Sequence, residues 1–240
     1  MSSQFKKNEE LGKAAILRDD LKEAKKHFRN MVKESRKHSE KDQASALQLL
    51  GDVCLREEKY DETEETLKKS VELHKSAFGE NAPETALAQC NLATGLWLGN
   101  KNRNDARSLL EHSVEKLQSK MGSSDKYDSV QLDSFANAFE SLATLKEGDK
   151  DYAGAETLFR IALELLLKSS DGKLTENVIH TLYYLTGVLQ AQSKETEAHE
   201  LLAQHIPHLK RLAADRGSSL INGLIEEYER ELLMSIPTPV

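Results

Sequence analysis

The chain has 240 residues, is 38% hydrophobic and 5% aromatic, and carries 33 Lys/Arg against 40 Asp/Glu, a formal charge of −7. That polar composition disfavours one large globular core and suits a thin core shared between stacked helical layers. The acidic bulk disfavours nonspecific nucleic-acid binding, and the lack of a long apolar run argues against membrane insertion.

Few Gly (12) and Pro (4) and no alternating Val/Ile/Thr run predict an all-helical chain. In chain order, helical spacing and turn residues give hairpins at about 4–38, 43–77, 84–120, 130–168 and 174–214. In the first hairpin the turn is Asp19-Asp20, with Asp20 a good cap for the second helix. Pro83 suits the first turn of a helix that ends at Gly99-Asn100. Met121–Lys126 is the longest polar break, expected to be a mobile loop within one domain spanning 1–240. Pro207 is expected to kink the last hairpin's second helix. After Gly217-Ser-Ser219, the residues Leu220, Ile221, Leu224, Ile225, Tyr228 and Leu232 form a stripe opposite Glu226, Glu227, Glu229, Arg230 and Glu231. This predicts a capping helix at 218–234 and a tail at 235–240.

The hairpins repeat one another. A bulky-small pair stands at Leu11-Gly12, Leu50-Gly51, Leu92-Ala93, Leu142-Ala143 and Leu185-Thr186. A small residue follows at Ala24, Thr63, Ala106, Ala155 and Ala198, and a large one four residues later at Phe28, Leu67, Leu110, Phe159 and Leu202. The offset from pair to small residue is 13, except in the third copy, where it is 14. The extra residue falls in the polar turn Asn100–Asp105, where an insertion costs least. Small residues around one large knob suit helices pressed closely together.

The copies resemble tetratricopeptide repeats, and most of all the long-period repeats of kinesin light chains. The residues that carry the likeness are Asn91-Leu92-Ala93, Ala155-Glu156-x-Leu158-Phe159-x-x-Ala162-Leu163, and the connecting stretch Phe78–Ala86. It covers about residues 43–206, and 8–38 more weakly; His205 and Pro207 depart from the pattern. The resemblance implies a right-handed α-solenoid of about five helix-turn-helix repeats with a C-terminal capping helix. The family's heptad coiled coil is absent, so kinesin heavy chain binding is not implied.

Signs of chemistry are few. His199, His205 and His208 lie within ten residues, but position 203, where a zinc-binding helix would need its second histidine, is Ala203. No phosphate-binding glycine loop or Gly-x-Ser-x-Gly elbow occurs. No cofactor, metal site or catalytic residue is therefore expected, and the protein is read as not an enzyme. The two cysteines form no Cys-x-x-Cys pair, which together with the lack of a signal peptide suggests a reducing, cytoplasmic setting. Residues 1–42 hold 12 Lys/Arg and 8 Asp/Glu, a net of +4, which leaves −11 for the rest. The basic first hairpin could meet an acidic partner or be a solvated end cap.

The expected function is a protein-protein interaction scaffold, or adaptor, that binds a peptide segment of a protein partner in a concave groove. An assembly factor or co-chaperone for one complex is the alternative; an unrecognised enzyme or small-molecule-sensing regulator comes third. In this repeat class the groove positions lie five and two residues before the bulky residue, and two and five after it. They are Ser45, Gln48, Asp52 and Leu55; Leu87, Cys90, Thr94 and Trp97; Asn137, Glu140, Thr144 and Glu147; and His180, Tyr183, Gly187 and Gln190. Apolar Leu55, Leu87 and Trp97 then mix with acidic Asp52, Glu140 and Glu147, which suits a peptide with an apolar anchor and basic flanks. Trp97, the single tryptophan, is either such an anchor or a packing residue against the adjoining hairpin.

Repeats that grip the acidic C-termini of heat-shock chaperones do so with Lys, Asn, Asn, Lys and Arg. The corresponding positions here hold Gln48, Asp52, Asn91, Asn137 and Ser141, so Asn91 alone matches and Asp52 repels a carboxylate. A peptide ending in Glu-Glu-Val-Asp should show no binding by calorimetry; micromolar affinity would contradict this.

Overall fold

The computed structural model describes residues 3–121, 127–216 and 219–234. Among them are eleven α-helices and no strand. Two compact units divide the chain, Met1–Gly122 and Ser123–Val240. The first holds α1 (Ser3–Leu17), α2 (Leu21–Ser35), α3 (Glu40–Arg56), α4 (Tyr60–Phe78), α5 (Pro83–Leu98) and α6 (Arg103–Met121). These pair as three hairpins, with α2 packed on α3, α4 on α5, and α3 touching α5. The second unit holds α7 (Ser129–Gly148), α8 (Tyr152–Ser169), α9 (Glu176–Ala191), α10 (Glu195–Arg216) and α11 (Ser219–Met234). Here α7/α8 and α9/α10 are hairpins, α8 packs on α9, and α11 lies against α9 and α10.

Polar caps set the helix starts. Ser39 accepts a hydrogen bond from the Asp42 amide, so α3 begins three residues before the hydrophobic pattern does. Asp128 and Gln131 close a capping box at the start of α7. Asp20 and Asp151 accept from the amides of Glu23 and Gly154. α10 runs as one helix with Pro207 inside it. Of the capping stripe, Ile221 and Leu224 are buried, Ile225 is half-buried, and Tyr228 stacks on His199 at 4.4 Å. The loop at 122–126, Gly217-Ser218, the side chains of Leu220 and Leu232, and the tail lie outside the described residues.

All five hairpins turn in the same way. A non-glycine residue takes a left-handed conformation at Asp19, Glu58, Asn100, Lys150 and Ser193, with φ between 54° and 64°. The next amide then bonds a carbonyl five residues back: Asp20 to Ala15, Lys59 to Cys54, Lys101 to Leu96, Asp151 to Lys146 and Lys194 to Leu189. This is the Schellman arrangement made without glycine. The third turn alone adds a second left-handed residue, Asn102, and so absorbs the one-residue insertion.

Beyond the turn, the helices close on the repeated knob. Phe28, Leu67, Leu110, Phe159 and Leu202 are at most 2% exposed, and the small residues four places earlier at most 1%. In the first two hairpins the small member of the bulky-small pair forms the slot for the knob. A Cβ added at Gly12 would stand 2.4 Å from the Phe28 ring, and one at Gly51 2.3 Å from Leu67. Gly51→Ala should therefore destabilise the first unit by about 1–3 kcal/mol through overpacking, despite alanine's better helix propensity. Gly187 in α9 has nothing within 4 Å of its added Cβ, so Gly187→Ala should instead stabilise by about 0.5–1 kcal/mol. Urea titration of both variants checks the opposite signs.

Candidate functional site

The first helices carry the positions assigned to a groove. In the first unit, Gln48, Asp52, Leu55, Leu87, Asn91, Thr94 and Trp97 all keep part of their surface open. Cys90 does not: it is fully buried, and burial pushes its thiol up to about 12. The correction has a plain cause. α5 is packed against α3, α4 and α6, so neighbours cover more of its circumference than one amphipathic stripe, and Cys90 falls on the covered arc. The Arg103 guanidinium lies 5.0 Å from the centre of the Trp97 ring, within the same hairpin. Half-buried Trp97 is thus neither a core residue nor a bare ring.

Asp52 is the unusual charge of this unit. Its neighbour Gln48 donates to it at 3.0 Å. Burial nevertheless pushes its carboxyl up to about 6 from 3.8, against the pull of the Gln48 hydrogen bond and Arg56.

In the second unit, Asn137, Thr144, His180 and Tyr183 are exposed, while Glu140 and Glu147 are half-buried. Thr181 donates its hydroxyl to Glu140. Burial raises the Glu140 carboxyl, a shift opposed by Thr181 and His180; burial alone raises Glu147. Tyr184 stacks on Phe159 at 5.7 Å and meets His180 at 4.9 Å and Tyr183 at 5.8 Å. These rings stiffen one wall of a cleft of about 510 Å³. Glu147, Tyr183, Tyr184, Thr186, Gly187 and Gln190 line it from α7 and α9, and Gly223, Leu224, Glu226 and Arg230 line it from α11. Four of the repeat-derived positions, Glu147, Tyr183, Gly187 and Gln190, thus meet in one place. The contribution of α11 was invisible to the repeat arithmetic, because the capping helix lies outside the repeat.

Among the described residues, no three His, Cys, Asp or Glu side chains come together as a metal ligand set, and no helix is long and apolar enough to cross a membrane.

Comparison with known proteins bears on the fold. The sequence model of the tetratricopeptide repeat family matches residues 42–119, the second and third hairpins. No curated protein matches the chain as a sequence relative. A kinesin-light-chain-type protein of Podosopora anserina with nearly identical tetratricopeptide-like repeats is similar at 20% identity and TM-score 0.59, covering 91% of this chain and 100% of that one. BtubC (BKLC) from P. vanneervenii is similar at 14% identity and TM-score 0.61, covering 98% and 83%. A Rap protein complexed with competence and sporulation factor is similar at 14% identity and TM-score 0.63; the match covers 93% of this chain and 54% of that one. The fold is therefore an all-α tetratricopeptide-type repeat resembling those of kinesin light chains.

Asp52 gives a pH-dependent prediction. Its raised pKa means that its ionised form costs stability above about pH 6, and that the cost fades as pH falls towards the ordinary carboxylate range. Asp52→Asn should therefore raise unfolding free energy by about 1–2 kcal/mol near pH 8, after discounting for partial exposure, and by little near pH 4. Urea titrations at both pH values check this; an equal effect at both would contradict it.

Proposed function

We propose that the protein is a non-enzymatic interaction scaffold that holds a peptide segment of a partner protein. The observation that carries this reading is the second unit's cleft, where repeat-derived surface positions converge beside α11. Its volume of about 510 Å³ lies in the range of built ligand sites and accommodates one or two side chains. Tyrosine rings offer broad apolar contact at low entropic cost, and side chains fixed on packed helices lose little freedom when a flexible segment binds. Glu147 and Glu226 outnumber Arg230 among the charged lining residues, so the cleft leans acidic and suits a basic residue beside the inserted side chain; the ligand class is a peptide with an apolar anchor and a Lys or Arg flank. The similar Rap protein is complexed with competence and sporulation factor, which supports a ligand-holding role here.

In the first unit, Gln48, Asp52, Leu55, Leu87, Asn91, Thr94 and Trp97 form a second candidate contact surface of the same mixed character. Asn137, Glu140, Thr144 and His180 extend the proposed surface of the second unit beyond the cleft.

The test selects peptides from a random display library on the intact protein. Enriched peptides should pair an apolar residue with nearby Lys or Arg. Tyr183 is 49% exposed, so Tyr183→Ala should keep the melting temperature and weaken these peptides about tenfold or more. Gly187→Leu, which fills open space at the cleft, should weaken them likewise without lowering the melting temperature. Enrichment of acidic peptides, or affinity unmoved by either substitution, would overturn the reading.

A further inference from the structure

One face of α2 is a row of cations. Lys22, Lys26, Arg29, Lys33 and Arg36 follow at steps of four, three, four and three residues, so they share one helical stripe. All five are exposed. Like charges at these spacings repel and destabilise a helix, so the stripe is a cost that the fold itself does not require.

Part of the charge has a structural use. Buried Lys25 reaches Glu57 and Glu62 at 2.7 Å each, and Arg29 reaches Glu62 at 2.7 Å. Lys59 takes up Glu57 as well, at 3.1 Å. These contacts consume both carboxylates. Lys22, Lys26 and Lys33 pair with no carboxylate among the described residues. Between the stripe and the α3–α4 turn lies a cleft of about 390 Å³, lined by six Lys/Arg side chains, Asn30 and the already neutralised Glu57. The Lys25 ion pairs tie the two walls together, and of the six lining cations Lys22, Lys26 and Lys33 are the ones left without a carboxylate among the described residues.

We infer that this stripe is a docking surface for an acidic polypeptide segment, separate from the peptide cleft of the second unit. Lys22 and Lys33 stand about 16 Å apart along the axis. An extended segment of about five residues spans that distance, as do about three turns of a helix with Asp or Glu along one side. A bilayer fits less well. The stripe contains no Leu, Phe, Trp or Tyr to enter a headgroup region, and a flat membrane does not enter a cleft. A long nucleic acid would run beyond the stripe onto a chain whose residues 43–240 carry a net −11.

The experiment uses the whole protein and a labelled oligoglutamate peptide, with oligoglutamine as the neutral control. Two variants of equal charge change are compared: Lys22→Gln/Lys26→Gln/Lys33→Gln on the stripe, and Lys13→Gln/Lys68→Gln/Lys69→Gln away from it. Near 0.1 M salt, as an order-of-magnitude expectation, the stripe variant should lose about tenfold or more in affinity and show a flattened salt dependence, while the control loses less than about twofold. A readout independent of any variant is lysine acylation of the wild-type protein, in which oligoglutamate should protect Lys22, Lys26 and Lys33 more than Lys68 and Lys69. Equal losses in the two variants, no protection of the stripe, or no binding of oligoglutamate would overturn the proposal. So would stripe-dependent capture by phosphatidylserine vesicles that exceeds peptide binding, which would assign the face to a membrane surface.

Discussion

The entry of one large side chain into the slot left by a small one fixes each hairpin. The knob projects from the second helix and the slot is cut in the first, sixteen or seventeen residues earlier. A slot without a side chain lets two helices approach closely, and the knob then excludes water along the contact. Slot and knob vary together within limits. Gly12 and Gly51 receive Phe28 and Leu67 with no room for a further carbon. Ala93, Ala143 and Thr186 occupy the same repeat position opposite Leu110, Phe159 and Leu202. With so few aromatic residues in the chain, closeness of approach replaces bulk as the source of burial.

Stacking of one hairpin on the next relies on a different interaction. Three sets of ion pairs join the second helix of one hairpin to the turn of its successor or to the first turn of the helix after it. Lys25 and Arg29 meet Glu57 and Glu62 between the first and second hairpins. Lys101 meets Asp61 and Glu64 between the second and third. Glu156 takes Lys194 and Gln192, and Arg160 reaches Glu197, between the fourth and fifth. The shifts follow: paired cations hold the Glu62 and Glu156 carboxyls down at about 2 despite the opposing effect of burial. Those exposed on both sides, such as Arg160–Glu197, add little stability. Their value lies in order, because the helix is basic in the first tie and acidic in the second. A hairpin docked on the wrong neighbour would bring like charges together.

Most of the fold was legible because knob, slot and caps are local and recur. The turns were less so. Their left-handed residues are Asp, Glu, Asn, Lys and Ser rather than Gly, and no single residue type signals a Schellman turn when tertiary packing supplies the constraint. The surface was legible only where helices have few neighbours. Repeat arithmetic placed Glu147, Tyr183, Gly187 and Gln190 around one cleft, yet the same arithmetic put buried Cys90 on the surface, since it counts positions along a helix and not the neighbours around it. The cation over the Trp97 ring comes from Arg103, outside its own helix, which no period within that helix encodes.

The charge distribution completes the physical picture. Where ion pairs tie one hairpin to the next, cations on a second helix have a structural use where the next hairpin supplies carboxylates. On α2 that demand is met by Lys25 and Arg29, whose partners lie at 2.7 Å. The stripe continues past them in both directions, through exposed positions that self-repel. A solvated surface achieves solubility with mixed charge at no such cost. Charge of one sign, ordered along a helix and bordering a rigid cleft, is what electrostatic steering and register on a complementary partner require.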